Sequence, residues 1–138
     1  MLGQGTVAVA DPDEWDDAAH PEGLMNAFLV SPVIEIPTEL LAGTLRLKFD
    51  SSWRREDTQT AIITVSYDGG EPFEVLRWES EGADTGFLKD DATNESVNVD
   101  LQSPEGATQV VVTFGMVDAG NDWWWAIDNV EVVGELAP

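Results

Sequence analysis

Apolar and polar residues alternate along most of this chain with a period of two. Leu45, Leu47 and Phe49 alternate with Arg46, Lys48 and Asp50, and Ile63, Val65 and Tyr67 alternate with Ile62, Thr64 and Ser66. Successive side chains of a strand point to opposite faces, so the pattern predicts half-buried β-strands. Val97, Val99 and Leu101 continue it, as do Val110, Val112 and Phe114, and shorter strands are expected at 6–10, 27–30, 33–36 and 73–78. Between them lie residues that favour turns or forbid ladder pairing: Ser31-Pro32, Pro37-Thr38, Ser103-Pro104-Glu105-Gly106, and Asp68-Gly69-Gly70, which is the strongest hairpin signal. No stretch carries a persuasive helical period. Roughly nine short strands predict an all-β fold, an antiparallel β-sandwich of the jelly-roll kind, over residues 1–133, with 134–138 as tail or linker.

The last strand is the most informative. It runs through Trp123-Trp124-Trp125-Ala126-Ile127-Asp128-Asn129-Val130. Three consecutive indoles cannot share one face, so parity puts Trp123 and Trp125 on one side and Trp124 on the other, subject to a bulge near Asp128-Asn129. Trp78 and Trp125, each inside an alternating apolar strand, are expected to fill the core. Trp53 stands apart in Ser51-Ser52-Trp53-Arg54-Arg55-Glu56-Asp57, which reads as a polar loop where an indole beside two arginines would offer a platform.

Charge narrows the functional classes. The chain has 27 acidic and 6 basic residues and a formal net charge of −21. That balance repels phosphate backbones and anionic lipid, which argues against nucleic acid as partner, and it suits a setting rich in salt or divalent cations. No apolar run approaches the roughly 20 residues of a membrane span, so membrane insertion is not expected. Residues 1–4 lack the basic and apolar regions of a signal peptide, so an export signal would be removed or lie upstream. Cysteine is absent and His20, beside Pro21, is the only histidine. With no Gly-x-Ser-x-Gly elbow, phosphate loop or His-Glu-x-x-His pair, the nucleophilic, nucleotide and zinc-hydrolase readings fail.

The series Phe28-Leu29-Val30-Ser31-Pro32-Val33-Ile34, Leu45-Arg46-Leu47-Lys48-Phe49-Asp50, Val65-Ser66-Tyr67-Asp68-Gly69-Gly70 and Trp125-Ala126-Ile127-Asp128-Asn129-Val130 resembles the MAM-like and cleaved-adhesin jelly-roll modules of secreted bacterial enzymes and adhesins. The resemblance spans residues 26–133. It implies a non-catalytic accessory module of an extracellular protein, and a structural calcium ion held in part by the Asp of the last strand, here Asp128. Such modules usually begin with a strand further upstream than Gly3, so that strand is expected to be missing or supplied by another chain.

The residues themselves point to a hard cation as well. A carboxylate inside an apolar strand is expensive to bury unpaired, and few basic residues are available to pair with it. Asp128 with Asn129, drawing in Asp11 and Asp13 from the acidic segment Asp11–Asp17, would give calcium its oxygen ligands, although neither that segment nor Asp118–Asp122 fits an EF-hand. Two functions are then in play. The first is a calcium-stabilised carbohydrate-binding or adhesion module contacting a glycan or cell-surface polysaccharide through Trp53, Arg54, Arg55, Asp122 and Trp124. The alternative is a self-associating module in which the run 6–10 exchanges strands with a neighbour to build an oligomer or fibre.

Overall fold

The computed structural model describes residues 2–82 and 86–138. In chain order they form β1 (Ala8–Ala10), α1 (Pro12–Asp17), β2 (Met25–Val30), β3 (Ile34–Glu35), β4 (Arg46–Trp53), β5 (Thr60–Tyr67), β6 (Phe73–Glu79), β7 (Ala92–Asp100), β8 (Gln109–Ala119) and β9 (Trp125–Val133). One sheet has the order β1-β9-β4-β7; the other has β2-β8-β5-β6, with β3 also paired to β8. All of these pairings are antiparallel. Position by position the two orders match sequence neighbours, β1 with β2, β9 with β8, β4 with β5 and β7 with β6. This is the winding of a jelly roll.

The alternation seen in the sequence becomes the core. Leu47 and Phe49 of β4, Ile63 and Val65 of β5, and Val110 and Val112 of β8 are buried. Trp125 sits at the centre, with its ring 6.2 Å from Phe49, 5.8 Å from Phe114 and 5.8 Å from Trp78. Such tilted and edge-on pairs add about 0.5–1.5 kcal/mol each beyond the area they bury. Its indole N–H, which would be costly to leave unpaired, donates to Ser51 Oγ at 3.1 Å. The hairpin between β5 and β6 turns at Asp68 and Gly69, with φ of 49° and 72°. Positive φ at both central residues is what a tight hairpin turn matching strand twist requires.

Two local expectations change. The acidic segment is not an open loop but helix α1, because Asp11 caps it by accepting from the Glu14 N–H at 3.3 Å, Pro12 opens it, and Asp13 and Glu14 fill its first turn. The His20 ring stacks on Trp15 of that helix at 3.7 Å. Residues 134–138 are tied down: Leu41 N–H donates to the Glu135 carbonyl, Ala137 N–H to the Glu39 carbonyl, and Leu136 bridges Leu40. The bulge expected in the last strand is present, as the register slips between Lys48 and Asp50 opposite Asn129 and Val130, with Asn129 at φ 52°. No helix among the described residues is long and apolar enough to cross a membrane.

Candidate functional site

Two loops meet at one end of the sandwich, the segment after β4 (54–59) and the segment between β8 and β9 (120–124). Two buried polar residues stitch them together. Asp122 is 1% exposed, and its carboxylate accepts from Asp57 N–H at 2.6 Å, Thr58 N–H at 3.1 Å and Gly120 N–H at 2.8 Å. Thr58 Oγ1 adds a longer contact at 3.4 Å. Gln59 is fully buried; its Nε2 donates to the carbonyls of Arg54 and Trp123, and its Oε1 accepts from Glu56 N–H. Every buried polar atom named here has a partner, which fixes the loops rather than leaving them to adapt.

On this support lies an aromatic and cationic surface. Trp123 and Trp124 are half-buried and meet edge to face at 5.8 Å. The Arg54 guanidinium lies over both, 4.3 Å from one ring centroid and 5.5 Å from the other, while Arg54 N–H donates to the Trp124 carbonyl. Trp124 is further pinned through its indole N–H, which donates to Ser52 Oγ at 3.1 Å. The next residue, Arg55, reaches a polar cleft of about 420 Å³ shared with Glu56, Asp90 and Asp91. Its guanidinium donates to the Ser80 carbonyl and lies 3.3 Å from Asp90, and its N–H donates to Asp91.

Of the residues expected to contact a ligand, Arg54, Arg55 and Trp124 are therefore gathered at this end. Trp53 is not available. It is the last residue of β4 and points inward, fully buried, with its indole N–H on the Lys89 carbonyl and its ring 6.0 Å from Trp78. The apparent polar loop misled because Ser51 and Ser52 are strand residues whose hydroxyls are absorbed by Trp125 and Trp124. Asp122 belongs to the site, but as the buried anchor of its loops instead of a surface contact. Trp123, half of the platform, was not singled out from the sequence, although the Trp run contains it.

The expected calcium ligands do not converge. Asp128 is not buried: it faces outward, opposite Asp50 of β4, and accepts from Gln4 N–H at 2.9 Å. Asn129 is exposed and donates to Asp50 at 2.8 Å, while Asp11 is engaged in capping α1 and Asp13 lies in that helix's first turn. Among the described residues no group of three His, Cys, Asp or Glu side chains is arranged to hold a metal ion. These residues do not fit the calcium site that the resemblance implies. The premise fails because strand alternation puts Asp128, next to the buried Ile127, on the outer face, where no cation is needed to offset burial.

No protein-family model matches the sequence, and neither does any curated protein. The likeness to MAM-like modules thus rests on the strand series and the jelly-roll winding alone. Among solved structures, the chain is similar to the module TmCBM61 in complex with β-1,4-galactotriose, at 20% identity over 94% of this chain and 82% of that one, with a TM-score of 0.41. It is similar also to a CBM4 structure, at 14% identity over 83% and 80% of the two chains, with a TM-score of 0.43. At such identities and scores neither passes a binding function to this chain.

Proposed function

We propose that this chain is a non-catalytic carbohydrate-binding module of an extracellular protein, holding a neutral glycan on Trp123 and Trp124 with Arg54 and the Arg55 cleft beside them. The observation that carries the reading is the pair of half-exposed indoles, stacked with one guanidinium and mounted on loops locked by Asp122 and Gln59. Indole faces pack against the apolar C–H face of a sugar ring, and arginine and carboxylate groups then donate to and accept from its hydroxyls. A rigid mount matters because little further conformational entropy is lost on binding. The charge of −21 disfavours polyanionic glycans and favours neutral ones.

The test is affinity electrophoresis on neutral plant and algal polysaccharides, followed by calorimetry on the best ligand. Trp123→Ala and Trp124→Ala should each weaken binding by at least about tenfold while leaving the circular dichroism spectrum unchanged. Variants that bind as well as the parent would remove this reading.

A further inference from the structure

β2 pairs with β8 on one side and, among the described residues, with no strand on the other. Ser31 N–H donates to the Val112 carbonyl, and the register continues unbroken from Val30 opposite Thr113 back to Ala27 opposite Met116. Ladder alternation therefore turns the N–H and C=O of Phe28 and Val30 off the edge. Phe28, Leu29 and Val30 are 58%, 51% and 58% exposed. Proteins commonly guard such an edge with a lysine, a proline or an inward charge, and 27–30 has none. The edge is also set in place, because the Phe28 ring lies over Gly115, where an added Cβ would stand 2.9 Å from both that ring and Ile62.

Inward of this edge, between β1 and β2, the sandwich leaves an apolar cleft of about 530 Å³, because Ala8, Ala10 and Ala27 are too small to close it over Phe114 and Met116. Leu29, in register with Phe114, lines it. Ala10 is in register with Trp125 and Met25 with Ala119, and the loop 120–124 joins those two partners, so α1, which follows β1, stands at the Met25 end. There it brings Asp11, Glu14 and the Trp15 ring to the wall, and these two carboxylates are the only charged groups lining the cleft among the described residues. Residues 1–45, which supply β1, α1, β2 and β3, contain no lysine or arginine, and His20 lies 3.4 Å from Asp16. The wall thus offers Asp11 and Glu14 no cationic partner.

We infer that β2 and this cleft bind an extended, basic segment of a partner protein, added to the sheet as a further strand. The free N–H and C=O of Phe28 and Val30 select a peptide backbone, since an extended chain presents both groups at the spacing of the ladder. One inward side chain of that segment, beside Leu29, enters the cleft and is apolar. The next on the same face, two positions away toward Met25, meets Asp11, Glu14 and the Trp15 ring, which together suit a lysine or arginine. Charge agrees with the local chemistry. A chain of −21 draws a basic segment in, whereas a second copy would bring its own carboxylates against Asp11 and Glu14. The cleft shares no residue with the Trp123 and Trp124 surface, so this site is separate from the one proposed for a glycan.

Titration of the whole chain with the fluorescently labelled peptide Thr-Lys-Thr-Leu-Thr-Val-Thr and with its counterpart carrying Glu for Lys tests it, at about 0.05 M and about 0.5 M NaCl. In both peptides the leucine and the charged residue share one face. The expected result is saturable binding of the lysine peptide below about 1 mM, weakened by salt, and binding of the glutamate peptide at least about tenfold weaker. Val30→Pro removes only an N–H that points off the edge, which an edge strand tolerates, and Glu14→Lys reverses the charge at the wall. Each should weaken the lysine peptide at least about tenfold with an unchanged circular dichroism spectrum, and Glu14→Lys should abolish the preference for lysine over glutamate, whereas Trp124→Ala should change neither. No saturable binding up to about 1 mM, equal affinity for the two peptides, or binding that Val30→Pro leaves intact overturns the inference. So does a dimer in sedimentation equilibrium that Val30→Pro dissociates, since a second copy would then hold the edge.

Discussion

A buried carboxylate with no cation is tolerable only where donors surround it, and Asp122 has three backbone N–H groups on its oxygens. Gln59 plays the same part with both ends of its amide. Neither residue was legible as an anchor in the sequence, because the bonds by which they join the two loops span 64 and 65 positions and no local pattern marks them. Trp53 failed for a related reason, since two serines beside it masked the end of a buried strand. Removing the Asp122 side chain strands several buried donors at once, and Asp122→Ala should cost about 3 kcal/mol in denaturant unfolding and abolish glycan binding with it. A loss below about 0.5 kcal/mol would mean that the loops hold without their anchor.

The strands were readable because alternation of period two follows directly from the pleat, and their turns because Gly, Pro and Asp have few alternatives there. Helix α1 was missed although its signals are present, with Asp11 as cap and Pro12 at the first position, because five carboxylates in a short segment resembled a cation loop more than a helix with one apolar contact. The β5–β6 hairpin carries a device that alternation does not reveal. Asp68, at its turn, reaches the start of β8 and accepts from Thr108 Oγ1, Thr108 N–H and Gln109 N–H at 2.7, 3.0 and 3.0 Å. These bonds, led by the Thr108 hydroxyl, hold its carboxyl below the usual range. A carboxyl depressed in the folded state stabilises above its unfolded pKa, and that contribution is lost as pH falls through the folded value. Melting temperature should therefore drop more between about pH 6 and pH 3 for the parent than for Asp68→Asn, which keeps the turn's positive φ and cannot ionise. Equal drops would show that this turn contributes nothing to acid sensitivity.

For the molecule as a whole, the strongest influence outside the core is a charge of −21, from 27 acidic residues against 6 basic ones. Self-repulsion of that size opposes the compact state, so salt should raise the melting temperature by screening it. Calcium and a chelator, compared at matched ionic strength, should give coincident melts, because Asp128, Asn129, Asp11 and Asp13 assemble no ligand set; a calcium-specific rise would place a cation site elsewhere. On the proposed reading, the half-exposed indoles at the loop end, and not the buried ones, meet a glycan. The six indole N–H signals in a nitrogen-15-labelled spectrum, titrated with a neutral oligosaccharide cut from the tightest-binding polysaccharide, distinguish the two sets. The prediction is that Trp123 and Trp124 shift in a saturable way while Trp53 and Trp125 stay still. Shifts confined to Trp15 or Trp78, or no shift in any indole at saturating sugar, would contradict it.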